Sequence, residues 1–215
     1  MNIISKLKMK YWKAEGWIKE FDETNSIFIH IPKAAGMSIS NAFYGKDPWH
    51  YTINHYKFLT NRDFAHYFKF SFVRNPYDRL YSIYRYSFKQ VQKHPQTSIA
   101  FLTQYPTFEQ FITEWLSKKN IQSHYFFYPQ TKYLCDVNGK LLVDFVGRFE
   151  SLQEDFKLVS NRLNIDKPLA HTNKSTYTNT GLAYNEDIAK KVYDIYQPDF
   201  RLFSYTKDSW TKVTK

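Results

Sequence analysis

Two short segments of this chain combine residue types that grip anions. The first, Pro32-Lys33-Ala34-Ala35-Gly36-Met37-Ser38, lies between an apolar run, SIFIHI at 26–31, and a helix-spaced set, Ile39, Ala42 and Phe43. Small residues there let the backbone approach a ligand, and the first amides of a helix have no intrahelical acceptor, so the segment suits a phosphate. It departs from the triphosphatase loop G-x-x-x-x-G-K-[ST], because Lys33 precedes Gly36 instead of following it. An ordinary tight strand-to-helix turn reads the same way. The second segment is Arg74, at the end of YFKFSFV (67–73), with Ser82 eight residues on. A guanidinium at the carboxyl edge of a sheet can clamp an oxyanion bidentately, with a hydroxyl adding a donor. Arg74 is equally well placed to pair with Asp78.

The elements that must position these residues are legible in outline. Apolar runs at 26–31, 67–73 and 141–149 predict three buried strands, the last after the turn signal Asn138-Gly139. Gly45 stops the helix that follows the first. Asn75-Pro76 reads as a cap with proline at the first helical position, opening a helix with Leu80, Ile83 and Tyr84 inward. Ser82 falls about 200° around from Leu80 and faces away from that stripe. Capping boxes are predicted at Thr107/Gln110 and Ser151/Glu154, and a last helix over Glu186–Tyr196 that stops before Pro198. Alternating strands and helices predict an α/β fold: a central parallel sheet in three layers with helices on both faces, and ligands at the carboxyl ends of the strands.

Composition narrows the partners. A chain of 215 residues fits one domain, 1–215. Thirty Lys+Arg against twenty Asp+Glu give a charge of +10, which favours an anionic partner; nucleic acid, an anionic membrane bound peripherally and a phosphorylated cofactor all satisfy it. The single cysteine, Cys135, excludes intrachain disulfides and cysteine-based metal clusters, and reads as a small buried hydrophobe. No H-E-x-x-H pattern occurs, so no metal is expected in the chemistry. No run of about 18 apolar residues occurs, and lysines interrupt residues 1–19, so a cytoplasmic location is expected.

Taken together the two anion-binding segments carry a resemblance. IFIHIPKAAGMSIS resembles the 5′-phosphosulfate loop of sulfotransferases that use 3′-phosphoadenosine 5′-phosphosulfate (PAPS), and FSFVRNPYDRLYSIY resembles their 3′-phosphate strand and helix. The R-N-P-x-D-R-L variant is similar to that of membrane-type carbohydrate sulfotransferases and their soluble bacterial relatives. PQTKYL through DFVGRFESLQEDF, and Asp199, Phe200, Phe203 and Tyr205 near the end, also resemble the family. The resemblance spans about residues 26–205, with 1–25 as an N-terminal extension and 86–128 as a region that varies with the acceptor. It implies a fold akin to the P-loop kinases. Lys33, Ala34, Ala35, Gly36, Met37 and Ser38 would hold the phosphosulfate, Arg74 and Ser82 the 3′-phosphate, and Phe149 would lie beside the adenine. Asn173 and Lys174 match, more weakly, a loop that covers the cofactor.

The implied reaction moves a sulfuryl group from PAPS to a hydroxyl of a glycan or glycolipid. Small-molecule and protein-tyrosine sulfotransferases share the donor site, and a nucleic-acid-binding protein is the reading from another class. Lys33 would stabilise the departing phosphate oxygen. A neutral imidazole suits a general base near pH 7. His50, in an H-x-T element, is the first candidate and His55 the reserve; His124 is read as an acceptor contact, His30 as packed in its strand, and His66, His94 and His171 as structural or solvated. The aromatic residues of 86–128 read chiefly as core, with stacking on sugar rings as the alternative.

Overall fold

The computed structural model describes residues 15–169 and 182–213, without the side chains of Asn61 and Arg62. In chain order its principal elements are α1 (Lys19–Thr24), β1 (Ser26–Ile29), α2 (Gly36–Tyr44), α3 (Ile53–Thr60), β2 (Phe68–Val73), α4 (Pro76–Lys93), α5 (Phe108–Gln110), α6 (Gln130–Leu134), β3 (Phe145–Arg148), α7 (Leu152–Leu163) and α8 (Glu186–Leu202). They fall into two compact units, 15–73 with 130–169 and 74–129 with 182–213. Among the described residues no helix is long and apolar enough to cross a membrane.

The first unit is an α/β structure. Its three strands are all parallel, in the order β1-β2-β3. Ser26 pairs with Phe68 and Ile29 with Ser71; Phe70 pairs with Phe145 and Val73 with Arg148. The strands are apolar because helices must cover a parallel sheet. Phe43 of α2 stacks on Phe156 of α7 at 4.6 Å and meets Phe70 edge-on at 5.8 Å. Gly45 closes α2 at φ 73°, a left-handed turn its missing Cβ permits. Cys135 is buried and forms no disulfide.

The third strand is shorter than the apolar run 141–149 predicts. Leu141 bridges Cys135 in antiparallel fashion and Leu142 N donates to Leu134 O, so this half of the run closes a hairpin around Asn138-Gly139. Pairing with β2 begins where Asp144 exchanges bonds with Lys69: Asp144 N donates to Lys69 O at 2.7 Å, and Lys69 N donates to the Asp144 carboxylate at 2.8 Å. The predicted Ser151/Glu154 capping box does not form. A 3-10 turn over Phe149–Ser151 gives Ser151 a ψ of 35°, and its hydroxyl donates to Asp155 instead.

The second unit is helical around an aromatic core that includes Tyr77, Leu80, Ile83, Phe111, Phe127, Val192 and Phe200. Asn75 caps α4 through Tyr77 N, with Pro76 at the first helical position. Ser82, which faces away from the Leu80 stripe, is also buried, as are Tyr77, Arg79, Leu80, Tyr81 and Ile83 around it in the first two turns of α4. Arg79 is tolerated there because its guanidinium donates to Phe126 O and Tyr128 O. The Thr107/Gln110 box is present in both directions, but α5 passes at once into a π turn over Phe111–Trp115. The last helix does not stop at Tyr196. It kinks there (φ −99°, ψ 17°), since Pro198 has no amide to donate, and continues to Leu202.

Candidate active site

The segment after β1 is a tight turn over Pro32–Ala35 that feeds directly into α2. Its backbone alternates in handedness: Lys33 (φ 66°) and Ala35 (φ 64°) are left-handed, whereas Ala34 and Gly36 are not. Left-handed residues without glycine are costly, and an alternating run of this kind turns successive amides inward to form an anion-binding concavity. Ser38 N and Ile39 N both donate to Ala35 O, so Gly36 and Met37 carry the amides for which the helix offers no acceptor. Phe149 follows the carboxyl end of β3, at the same edge of the sheet as this turn.

Beneath the turn lies a side-chain cluster that the sequence only half disclosed. His30, one residue past β1, is buried as expected, and its Nδ1 donates to the Asp47 carboxylate at 2.6 Å. The same Asp47 oxygen accepts from Trp49 N at 3.1 Å. Burial opposes ionisation of Asp47, but the His30 hydrogen bond, the charges of His30 and His50 and the Trp49 amide outweigh it and hold the carboxyl below its ordinary range. His50 packs its ring 4.2 Å from that of His30, and its Nδ1 donates to His30 O at 2.9 Å. That bond sets the tautomer of neutral His50, with the proton on Nδ1 and the basic lone pair on Nε2. Nothing in the pattern around Asp47 marked it beyond an acidic residue three positions before a candidate histidine.

His55 sits elsewhere on this unit, stacked on Tyr51 at 4.3 Å with Nε2 donating to Glu15 O at 3.0 Å. A fixed proton on Nε2 leaves the lone pair of neutral His55 on Nδ1, the opposite arrangement to His50. His66 and His94 are exposed, and His171 lies outside the described residues.

Residues 20–206 match the sequence profile of the sulfotransferase family. The chain belongs to that family. It is 29% identical over 175 residues to carbohydrate sulfotransferase 12 of Xenopus laevis, an alignment covering 66% of this chain and 40% of the relative. This family member therefore spans less than half the length of that protein. No solved structure matches it. The profile runs through both compact units of the chain.

In the second unit Arg74 is buried and its Nε donates to Asp78 at 2.6 Å. The ion pair anticipated as a competing explanation is thus present, and it fixes the direction of the guanidinium plane. Ser82 is buried two turns into α4. His124 is a cap: its Nδ1 accepts from Phe126 N at 3.2 Å, and Nε2 donates to the Ser98 hydroxyl at 2.9 Å. Burial lowers its pKa. The aromatic residues of 86–128 pack on one another; Trp115 meets Phe101, Phe111 and Phe127 at 4.8–5.2 Å. Asn173 and Lys174 lie outside the described residues.

Proposed function

We propose that this chain is a sulfotransferase that moves the sulfuryl group of PAPS to a hydroxyl of a carbohydrate or glycolipid. The observation that carries the reading is the family match over 20–206 together with the alternating-handed turn Lys33–Gly36 at the end of β1. The turn fits an anionic donor: alternating handedness is the arrangement that can aim successive amides at an anion, and Gly36 brings no Cβ to the spot where His30 already fills the space. The carbohydrate acceptor is suggested by the name of the frog relative. A P-loop kinase-like sheet is the fold we assign, on the strength of the parallel order β1-β2-β3 and the family.

In this reading the turn from Lys33 to Ser38 binds the 5′-phosphosulfate, and Lys33 meets the charge that develops on the departing phosphate oxygen. Arg74 and Ser82 bind the 3′-phosphate, with Phe149 beside the adenine. His50 takes the proton of the acceptor hydroxyl at Nε2. His55 remains the reserve and His124 an acceptor-side contact.

Transfer of labelled sulfate from PAPS to a panel of glycans, glycolipids, phenols and tyrosyl peptides tests the proposal. Labelled glycan is the expected product. Transfer only to phenols or tyrosyl peptides would reassign the acceptor. Salt-sensitive binding of random oligonucleotides, without affinity for adenosine 3′,5′-bisphosphate, would overturn the enzyme class.

A further inference from the structure

Trp49 combines exposure with an unusual backbone beside the His30–Asp47–His50 cluster. It is 56% exposed, which leaves much of a large amphipathic aromatic surface open to solvent. Its backbone is left-handed at φ 68°, a conformation that a bulky residue adopts only under constraint. Asp47 applies that constraint through the Trp49 amide, and Tyr56 OH donates to Pro48 O on the other side of the turn. The indole centroid stands 5.8 Å from that of His50, at 45°. The left-handed turn thus places a half-exposed indole beside one imidazole.

We infer that Trp49 is the acceptor subsite, a platform on which the pyranose ring bearing the reactive hydroxyl stacks so that the hydroxyl reaches His50. The inference rests on the proposed sugar sulfation. A pyranose presents a flat face of C–H groups to an aromatic surface, and its hydroxyls project from the rim of the same ring. An indole that close to the base would hold the ring while its rim reaches the imidazole. Hydroxyl groups on flexible open chains would gain little from such a platform. Trp49 would therefore set specificity, separate from donor binding.

The test uses the full chain and two substitutions that suit a left-handed backbone, Trp49→Gly and Trp49→Asn, beside Trp49→Phe. Sulfate transfer is followed to pyranose disaccharides and to alditols of the same hydroxyl configuration, with adenosine 3′,5′-bisphosphate affinity and melting temperature measured in parallel. For the best disaccharide, the Gly and Asn variants should raise KM about tenfold or more, with kcat little changed, and Trp49→Phe should recover most of the loss. Donor-product affinity and melting temperature should stay at or above wild type. An unchanged disaccharide KM in both variants would overturn the subsite. A lowered melting temperature with lost bisphosphate affinity in both would make Trp49 structural and overturn it as well. If the wild type binds adenosine 3′,5′-bisphosphate but sulfates no pyranose, the sugar platform falls while the donor site stands; failure to bind the bisphosphate at all would remove the enzymatic reading itself.

Discussion

The imidazole of His30 occupies the volume that a side chain on Gly36 would need: a Cβ there would lie 1.8 Å from His30 Cδ2 and 2.0 Å from Nε2. Glycine is thus demanded at the start of α2 by a neighbour and not by its own backbone, which is right-handed. The His30 ring cannot swing aside, because Asp47 holds its other nitrogen. Gly36→Ala should therefore cost about 1–3 kcal/mol, as overpacking does. Thermal unfolding of Gly36→Ala, His30→Ala and the double variant would check it. The double variant should recover part of the loss, giving a coupling term of opposite sign to the single effects.

Asp47 links the His30 ring to the Trp49 amide and has a lowered pKa. A carboxyl depressed on folding adds stability above its unfolded value, near 3.9, and loses it as pH falls through the lower folded value. Asp47→Asn keeps a neutral acceptor but no charge. We expect about 1 kcal/mol less stability at pH 7 and a flatter acid limb below about pH 4. Urea unfolding as a function of pH reads both.

Lys33 and Arg74 should separate in kinetics. Lys33→Ala is expected to lower kcat by about 10²- to 10³-fold, since in the proposed mechanism Lys33 meets charge that develops in the transition state. Lys33→Gly, which eases the left-handed backbone, should lose as much. Arg74→Ala should weaken adenosine 3′,5′-bisphosphate about ten- to a hundredfold with a smaller change in kcat. Calorimetry and single-turnover rates resolve the two, and full affinity in a folded Arg74→Ala protein would remove the assignment.

His50→Ala should reduce turnover by about 10²- to 10⁴-fold with donor affinity retained, while His55→Ala costs far less. A pH–rate profile of each variant is the measurement. Full activity without His50 together with loss without His55 would move the base five residues along.

His124 has its pKa lowered by burial, so its neutral form is favoured in the folded chain. Unfolded chains take up the proton first as pH falls below about 6.5, and stability drops from there until the folded value is reached. His124→Gln should flatten stability between those limits, at the cost of the bond that caps Tyr125–Phe127. Chemical unfolding between pH 5 and pH 8, of wild type and variant, distinguishes this from a purely structural loss, which would be the same at every pH.

The sequence by itself determined what depends on local chemistry. Apolar runs located the three strands, Asn75-Pro76 the start of α4 and Gly45 the end of α2, because caps and breakers act through the backbone of their immediate neighbours. Motif spacing was enough to nominate the turn 32–38 and Arg74. Tertiary structure alone decided the rest. Strand β3 lost its first half because Leu141 and Leu142 found hairpin partners in Cys135 and Leu134, and Ser82 is buried although it lies off the inward stripe of α4. The cluster of His30, Asp47, Trp49 and His50 brings together residues up to twenty positions apart, and their order in the chain does not encode which imidazole meets which oxygen. A carboxylate's partner and a histidine's tautomer follow from distances of about 3 Å between groups that only the folded backbone brings into range.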